Sequence, residues 1–225
     1  MPVIVLCSTK GGVGKSTTAL LLAQVYAEAG SQVTLIDADP NQPLATWASR
    51  FTKSVPERLE IIGGVTEETV VEVIDDAAER KPFVIVDLEG SANVTASYAI
   101  SRADLVLIPM RGKQLDVDQA ARVVSLIERE SKVFRRQIPY RVMFSMIGML
   151  QSREQKHIRA TLDGKGIPVL DTALFERAAF SAIFQIGGTI FDLTAEDVSN
   201  PKAAQENATA VAQSVIAALN EETTR

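Results

Sequence analysis

Residues 8–17, Ser-Thr-Lys-Gly-Gly-Val-Gly-Lys-Ser-Thr, stand between the apolar run Val3–Ser8 and an apolar helical pattern that begins near residue 16 and closes at Gly30. Few sequence features restrict a fold as tightly. A glycine-rich loop that leaves a strand and enters a helix can wrap its backbone around phosphate oxygens. Several N–H groups then point inward, and the helix N-terminus adds partial positive charge. The loop therefore predicts a nucleotide site built from Gly11, Gly12, Val13, Gly14, Lys15, Ser16 and Thr17. In that arrangement Lys15 reaches the β- and γ-phosphates and Ser16 ligates Mg²⁺.

The rest of the chain supplies the sheet such a loop needs. Short runs rich in β-branched residues recur at Val33–Ile36, Leu59–Ile62, Phe83–Val86, Leu105–Pro109 and Tyr140–Met146. Helical patterns lie between them near 16–29, 43–51, 66–80, 93–102, 116–136 and 152–163, with two more near 176–186 and 202–220. Strands apolar on both faces and separated by helices imply a mostly parallel, doubly wound α/β sheet covered on both sides. At 225 residues one domain over 1–220 is expected, with a polar, frayed tail at 221–225.

Two acidic strand ends complete the candidate site. The second strand runs into Asp37-Ala38-Asp39-Pro40, and the strand Phe83–Val86 ends at Asp87. A carboxylate at the carboxyl edge of a parallel strand faces the ligand crevice, or caps the helix that follows; both remain open for Asp37 and Asp39. Asp87 is placed as a Walker B aspartate holding Mg²⁺ through water. Glu89, two residues further on, either positions water or faces solvent.

Position 9, where the common phosphate-loop pattern has glycine, holds threonine, and an extra lysine follows it. Lys-Gly-Gly-x-Gly-Lys-[Ser/Thr] resembles the deviant Walker A motif of the ParA/MinD family, and the resemblance covers nearly the whole chain. It implies that Lys10 reaches across a homodimer interface to the nucleotide of the other subunit. It also implies that Asp39 orients the attacking water, that the cofactors are ATP and Mg²⁺, and that the catalytic set is Lys10, Lys15 and Asp39. Ser16, Asp39 and Asp87 then form the metal set. The chemistry expected is slow, partner-stimulated hydrolysis of ATP to ADP and phosphate.

Within the family the chain resembles the short, ParF-like type used in plasmid partition. That branch implies ATP-dependent, sequence-independent DNA binding and a centromere-binding adaptor. Pro109–Asp116 keeps the flanking Pro and Leu-Asp of that branch's dimer loop but lacks its inner prolines. Ser145-Met146 departs from the usual base-contacting residues. Glu176-Arg177-Ala178-Ala179-Phe180 is close to a segment of the T-DNA-transfer branch. An accessory role in DNA transfer is therefore the alternative reading, with protein-cargo positioning behind it.

Charge distribution bears on the DNA partner. The net charge is −5, yet Arg129–Lys165 carries nine basic residues against three acidic ones. Arg135, Arg136, Arg153, Lys156 and Arg159 in this window are the DNA-contact candidates, a solvated helix face being the alternative. Cys7 is the sole cysteine, which excludes an intrachain disulfide and the two-cysteine cluster of the family's iron–sulfur relatives. No basic leader or membrane-length apolar segment is visible, and the alanine-rich 202–220 helix has only Lys202 as a base. No membrane partner is expected, and the location expected is cytoplasmic, on the nucleoid.

Overall fold

The computed structural model describes residues 2–52, 55–91 and 93–223. Its elements alternate: β1 Val3–Leu6, α1 Lys15–Glu28, β2 Val33–Ala38, α2 Pro43–Arg50, β3 Leu59–Ile62, α3 Val70–Arg80, β4 Phe83–Leu88, α4 Val94–Arg102. They continue with β5 Leu105–Met110, α5 Gln114–Phe134, β6 Tyr140–Ile147, α6 Arg153–Gly164, β7 Leu174–Phe175, α7 Ala178–Ile186 and α8 Pro201–Thr223. All seven strands are parallel, in the order β3-β2-β4-β1-β5-β6-β7. This is a single doubly wound α/β domain.

Strand alternation divides the core into two. Ile4 and Leu6 of β1 join one apolar cluster with α1, α2, α7 and α8, whereas Val3, Val5 and Cys7 join the other with α3, α4, α5 and α6. Side chains one residue apart on a strand point to opposite faces, so a central strand covered on both sides must be apolar throughout. The chain winds out from β1 in both directions. The carboxyl edges of β1, β2 and β4 therefore converge where such sheets bind ligands.

The C-terminal helix is a packing element. Ala204, Ala208, Val211, Ala212, Val215 and Ala218 are buried, and Tyr26 of α1 donates its hydroxyl to Ala212 O at 3.1 Å. The expected frayed tail is corrected in part. α8 continues through Thr223 because Arg141, at the start of β6, bonds Glu221 at 2.9 Å and Glu222 at 2.8 Å. Residues 224–225 lie outside the described residues. Among the described residues no helix is long and apolar enough to cross a membrane.

Other boundaries shift for local reasons. α3 begins at Val70, not 66, because the Thr69 hydroxyl takes the Thr66 N–H and holds Thr66–Thr69 in a turn. α5 ends at Phe134, and Arg135 turns left-handed at φ 52°, so Arg135 and Arg136 leave the helix. β7 has two residues, too few for an apolar run to reveal.

Candidate phosphate-binding site

The loop after β1 has the backbone of a phosphate cradle. Gly12 and Gly14 adopt φ of 72° and 91°, and Gly14 begins α1. At Gly14 a side chain is excluded twice, because a Cβ would lie 2.6 Å from Ser145 Oγ and 2.8 Å from Met146 Cγ. β6 thus braces the loop from beneath. Buried Val13 anchors it from the side.

Gly11, Gly12, Gly14, Lys15, Ser16 and Thr17 line a cleft of about 390 Å³ together with Asp39, Asn41, Glu89 and Gly90. The sequence-predicted loop residues and Asp39 are therefore brought together. Lys15 is buried, and its ammonium donates to Lys10 O at 3.4 Å.

The two acidic strand ends behave differently. Asp37 is fully buried and accepts from the N–H groups of Leu44 and Ala45 at 2.8 and 2.9 Å, so it caps α2. Burial pushes its carboxyl up, and those N–H groups pull it back. Asp39 sits at the cleft mouth, where its Oδ1 accepts from Asn41 N at 2.8 Å and Asn41 Nδ2 at 2.9 Å. The capping alternative holds for Asp37, while Asp39 faces the cleft.

Asp87 pairs with Leu6 on one side and Asp37 on the other. It is fully buried, and among the described residues neither carboxylate oxygen has a hydrogen-bond partner. Burial pushes its carboxyl up to about 7; the nearby Ser16 hydroxyl, which stops short of hydrogen-bond geometry, and Lys15 draw it down, while Asp37 and Asp39 raise it. An orphaned carboxylate beside a serine hydroxyl is an oxygen donor set of the kind Mg²⁺ takes, completed by phosphate and water.

Lys10 does not fold into its own loop. Its ammonium bonds Asp116 Oδ1 at 2.7 Å; the lysine side chain is 43% exposed and the aspartate 2%. Asp116 Oδ2 also accepts from Arg111 N and Lys113 N at the start of α5. Thr9 makes a second tie, its hydroxyl donating to Gln119 Oε1 at 2.5 Å. Asp116 and Gln119 were not legible as partners. Both contacts span more than 100 residues of chain, so no local sequence pattern signals them.

The basic window separates into two places. Arg153 and Lys156 are exposed on α6, whose start abuts α5 through Gln114 N donating to Glu154 Oε1 at 3.3 Å. Arg159, on the same helix, lies 3.9 Å from Asp171. Arg135 stands exposed at the amino edge of the sheet, away from the cleft. Beside it the Arg136 guanidinium donates to the carbonyls of Ser101 and Ala103. Arg141 is buried against Glu221 and Glu222, and Arg129 bonds Glu130. His157 is exposed on α6.

Comparison with known proteins identifies the family. The family model described as VirC1 protein matches residues 1–223. Protein ParA of Rhizobium radiobacter is 42% identical over 222 residues, covering 98% of this chain and 99% of that one. Protein virC1 of the same organism is 30% identical over 200 residues, covering 83% and 82%. Among solved structures, an ATP complex of McdA from Cyanothece superposes with a TM-score of 0.76 at 16% identity, covering 96% of each chain. The chain belongs to the VirC1 family, within the ParA/MinD group of deviant Walker A P-loop ATPases.

Proposed function

We propose that this chain is an ATP-switched partition ATPase whose ATP-bound homodimer coats DNA without reading its sequence. The observation that carries the reading is Lys10, held at the cleft rim by Asp116 at 2.7 Å with its side chain 43% exposed. A lysine serving its own phosphate loop would be turned into the cleft, as Lys15 is. A second copy docked against this rim offers Lys10 another anion, the phosphates of the opposite nucleotide.

The chain's own residues divide the work. Loop N–H groups and Lys15 hold the β- and γ-phosphates of ATP. Ser16 and Asp87 hold Mg²⁺, which offsets the charge that develops on the phosphates, and Asp39 orients water. No histidine reaches the cleft, in keeping with slow turnover that an adaptor bound at the centromere accelerates.

DNA contact falls on α6 in this reading. A dimer joined through Lys10 meets at the carboxyl edge of the sheet, where α6 begins, so Arg153, Lys156 and Arg159 of both copies flank one seam. Arg135 would lie at the two far ends, and Arg136 is engaged by backbone carbonyls. Position on the nucleoid in the cytoplasm follows from DNA binding.

Accessory action in DNA transfer is the second reading, favoured by the VirC1 family match over residues 1–223. Binding to two unrelated duplexes with ATP, ADP or no nucleotide, for wild type and Lys10→Ala across a salt series, separates the two. The partition reading expects ATP-dependent binding indifferent to sequence and lost in Lys10→Ala. The slope of log affinity on log salt is about −5 if three basic residues of each copy engage phosphate. Preference for one duplex without nucleotide favours the transfer reading, and no binding under any condition refutes both.

A further inference from the structure

Glu89, left open in the sequence between positioning water and facing solvent, lines the phosphate cleft. We propose that Glu89 is a second water-positioning carboxylate of this cleft, sharing with Asp39 the task of holding the water that attacks the γ-phosphate. The proposal rests on reading the cleft as an ATP site.

Three observations place Glu89 there and fix it. Leu88 is buried in the core on the α3–α6 face, so Glu89, two residues beyond Asp87, leaves the strand on the same side as Asp87. Gly90 then lies so close to the phosphate loop that a Cβ would sit 3.0 Å from Gly11 N and 3.1 Å from Lys10 C. The segment carrying Glu89 therefore lies against the start of the loop. Finally, Glu89 Oε2 accepts from the Ser91 hydroxyl at 2.8 Å and from Asn93 Nδ2 at 3.1 Å. Asn93 is itself oriented, because its Oδ1 caps α4 by accepting from Ala96 N at 2.9 Å. The α4 cap thus fixes one carboxylate oxygen, and among the described residues Oε1 makes no hydrogen bond.

The chemistry needs such a group. Asp37 is consumed as a helix cap, Asp87 faces Ser16, and Asp39 has one oxygen occupied by Asn41. A carboxylate lining a triphosphate cleft opposes nucleotide binding by charge, and a water between it and the γ-phosphate turns that repulsion into orientation. In the reaction the water oxygen forms a bond to the γ-phosphorus as the bond from that phosphorus to the β–γ bridging oxygen breaks. ADP leaves with the electron pair, and a water proton ends on the phosphate product. Glu89 accepts a hydrogen bond throughout and ends unchanged. Because it is anchored before ATP arrives, no reorganisation is required at the moment of attack.

Glu89→Gln tests this directly. The amide carbonyl still accepts from Ser91 and Asn93, so the anchor survives while the charge that orders water is removed. The expected result is a kcat lowered about 100-fold, the size typical of a misplaced reacting group. Affinity for a fluorescent ATP analogue stays equal or tightens, and the ATP-dependent DNA complex outlasts wild type on dilution. Glu89→Ala, which also breaks the anchor, loses kcat to at least the same extent. Turnover of Glu89→Gln within twofold of wild type overturns the proposal and leaves Glu89 an anchor for α4. Equal loss of ATP affinity and kcat overturns it too, in favour of a binding role. A wild type that binds no ATP overturns the ATPase reading and this inference together.

Discussion

Asp116→Asn isolates what the contact to Lys10 does. The substitution keeps an oxygen for the N–H groups of Arg111 and Lys113 but removes the charge that holds the lysine. Because Lys10 is 43% exposed, solvent screens the pair, and an interaction of about 0.5–1 kcal/mol is the appropriate scale despite the 2.7 Å separation. The proposed dimer would break two such pairs, so wild type would give up about 1–2 kcal/mol on association that Asp116→Asn does not. The variant dimer should be about 5- to 30-fold tighter with ATP, at 1.4 kcal/mol per tenfold. With ADP both proteins should remain monomeric. Sedimentation velocity over a concentration series gives the constants, and the difference should shrink as salt rises. Thermal unfolding should change little, since the α5 cap persists. A variant dimer no tighter than wild type, in a protein of unchanged melting temperature, refutes the idea that Asp116 restrains Lys10.

Gly14→Ala forces φ 91° on an L side chain and drives its Cβ into Ser145 and Met146. It should lose about 2–4 kcal/mol of stability and its nucleotide binding, seen in chemical denaturation and in a fluorescent-ATP titration. Arg141→Ala removes the guanidinium that Glu221 and Glu222 share. With Glu221 largely exposed, a cost of about 2 kcal/mol and a melting temperature about 4–8 °C lower are expected, with faster amide exchange at the end of α8. Asp87 predicts a pH dependence in the metal-free protein. Its folded value of about 7 lies above the ordinary 3.8, so the folded state binds the extra proton between those values. Stability is fully present below pH 4 and is lost as pH rises through 7, by at most about 4 kcal/mol. Asp87→Asn should flatten that loss while abolishing stabilisation by Mg²⁺ with ATP; an unchanged pH profile would count against burial as the cause.

The sheet was legible because its strands are short apolar runs rich in β-branched residues, bounded by turn signals, whereas the helical patterns between them are longer. The phosphate loop was legible because glycine at positions 12 and 14 is required by backbone angles that other residues resist. What escaped the sequence was contact across chain distance. Nothing near Asp116 announces that it holds Lys10, and nothing near Glu221 announces Arg141. Asp37 and Asp39 look alike as letters and differ only because the N–H groups of Leu44 and Ala45 reach one of them. The basic window was legible only as a sum, since counting charges cannot separate Lys156 in solvent from Arg141 against Glu221 and Glu222.

These contacts form one continuous line from nucleotide to candidate DNA surface. Thr9 and Lys10 open the phosphate loop and are tied to Gln119 and Asp116 on the first turns of α5. The same end of α5 is tied to α6 by Gln114 and Glu154, and Arg153 precedes that glutamate. In the proposed dimer, a partner's nucleotide that took Lys10 from Asp116 would leave the end of α5 without a charge partner next to the helix proposed to meet DNA. Linkage then makes the coupling reciprocal: whatever factor ATP contributes to DNA affinity, DNA must contribute to affinity for ATP. A cut at Gln114–Glu154, as in Glu154→Ala, should reduce both factors equally while leaving ATP binding without DNA as it was. Nucleotide titrations with and without duplex measure one factor, and duplex titrations with and without ATP the other. A coupling factor in Glu154→Ala equal to that of wild type would refute the claim that the Gln114–Glu154 contact joins the sites.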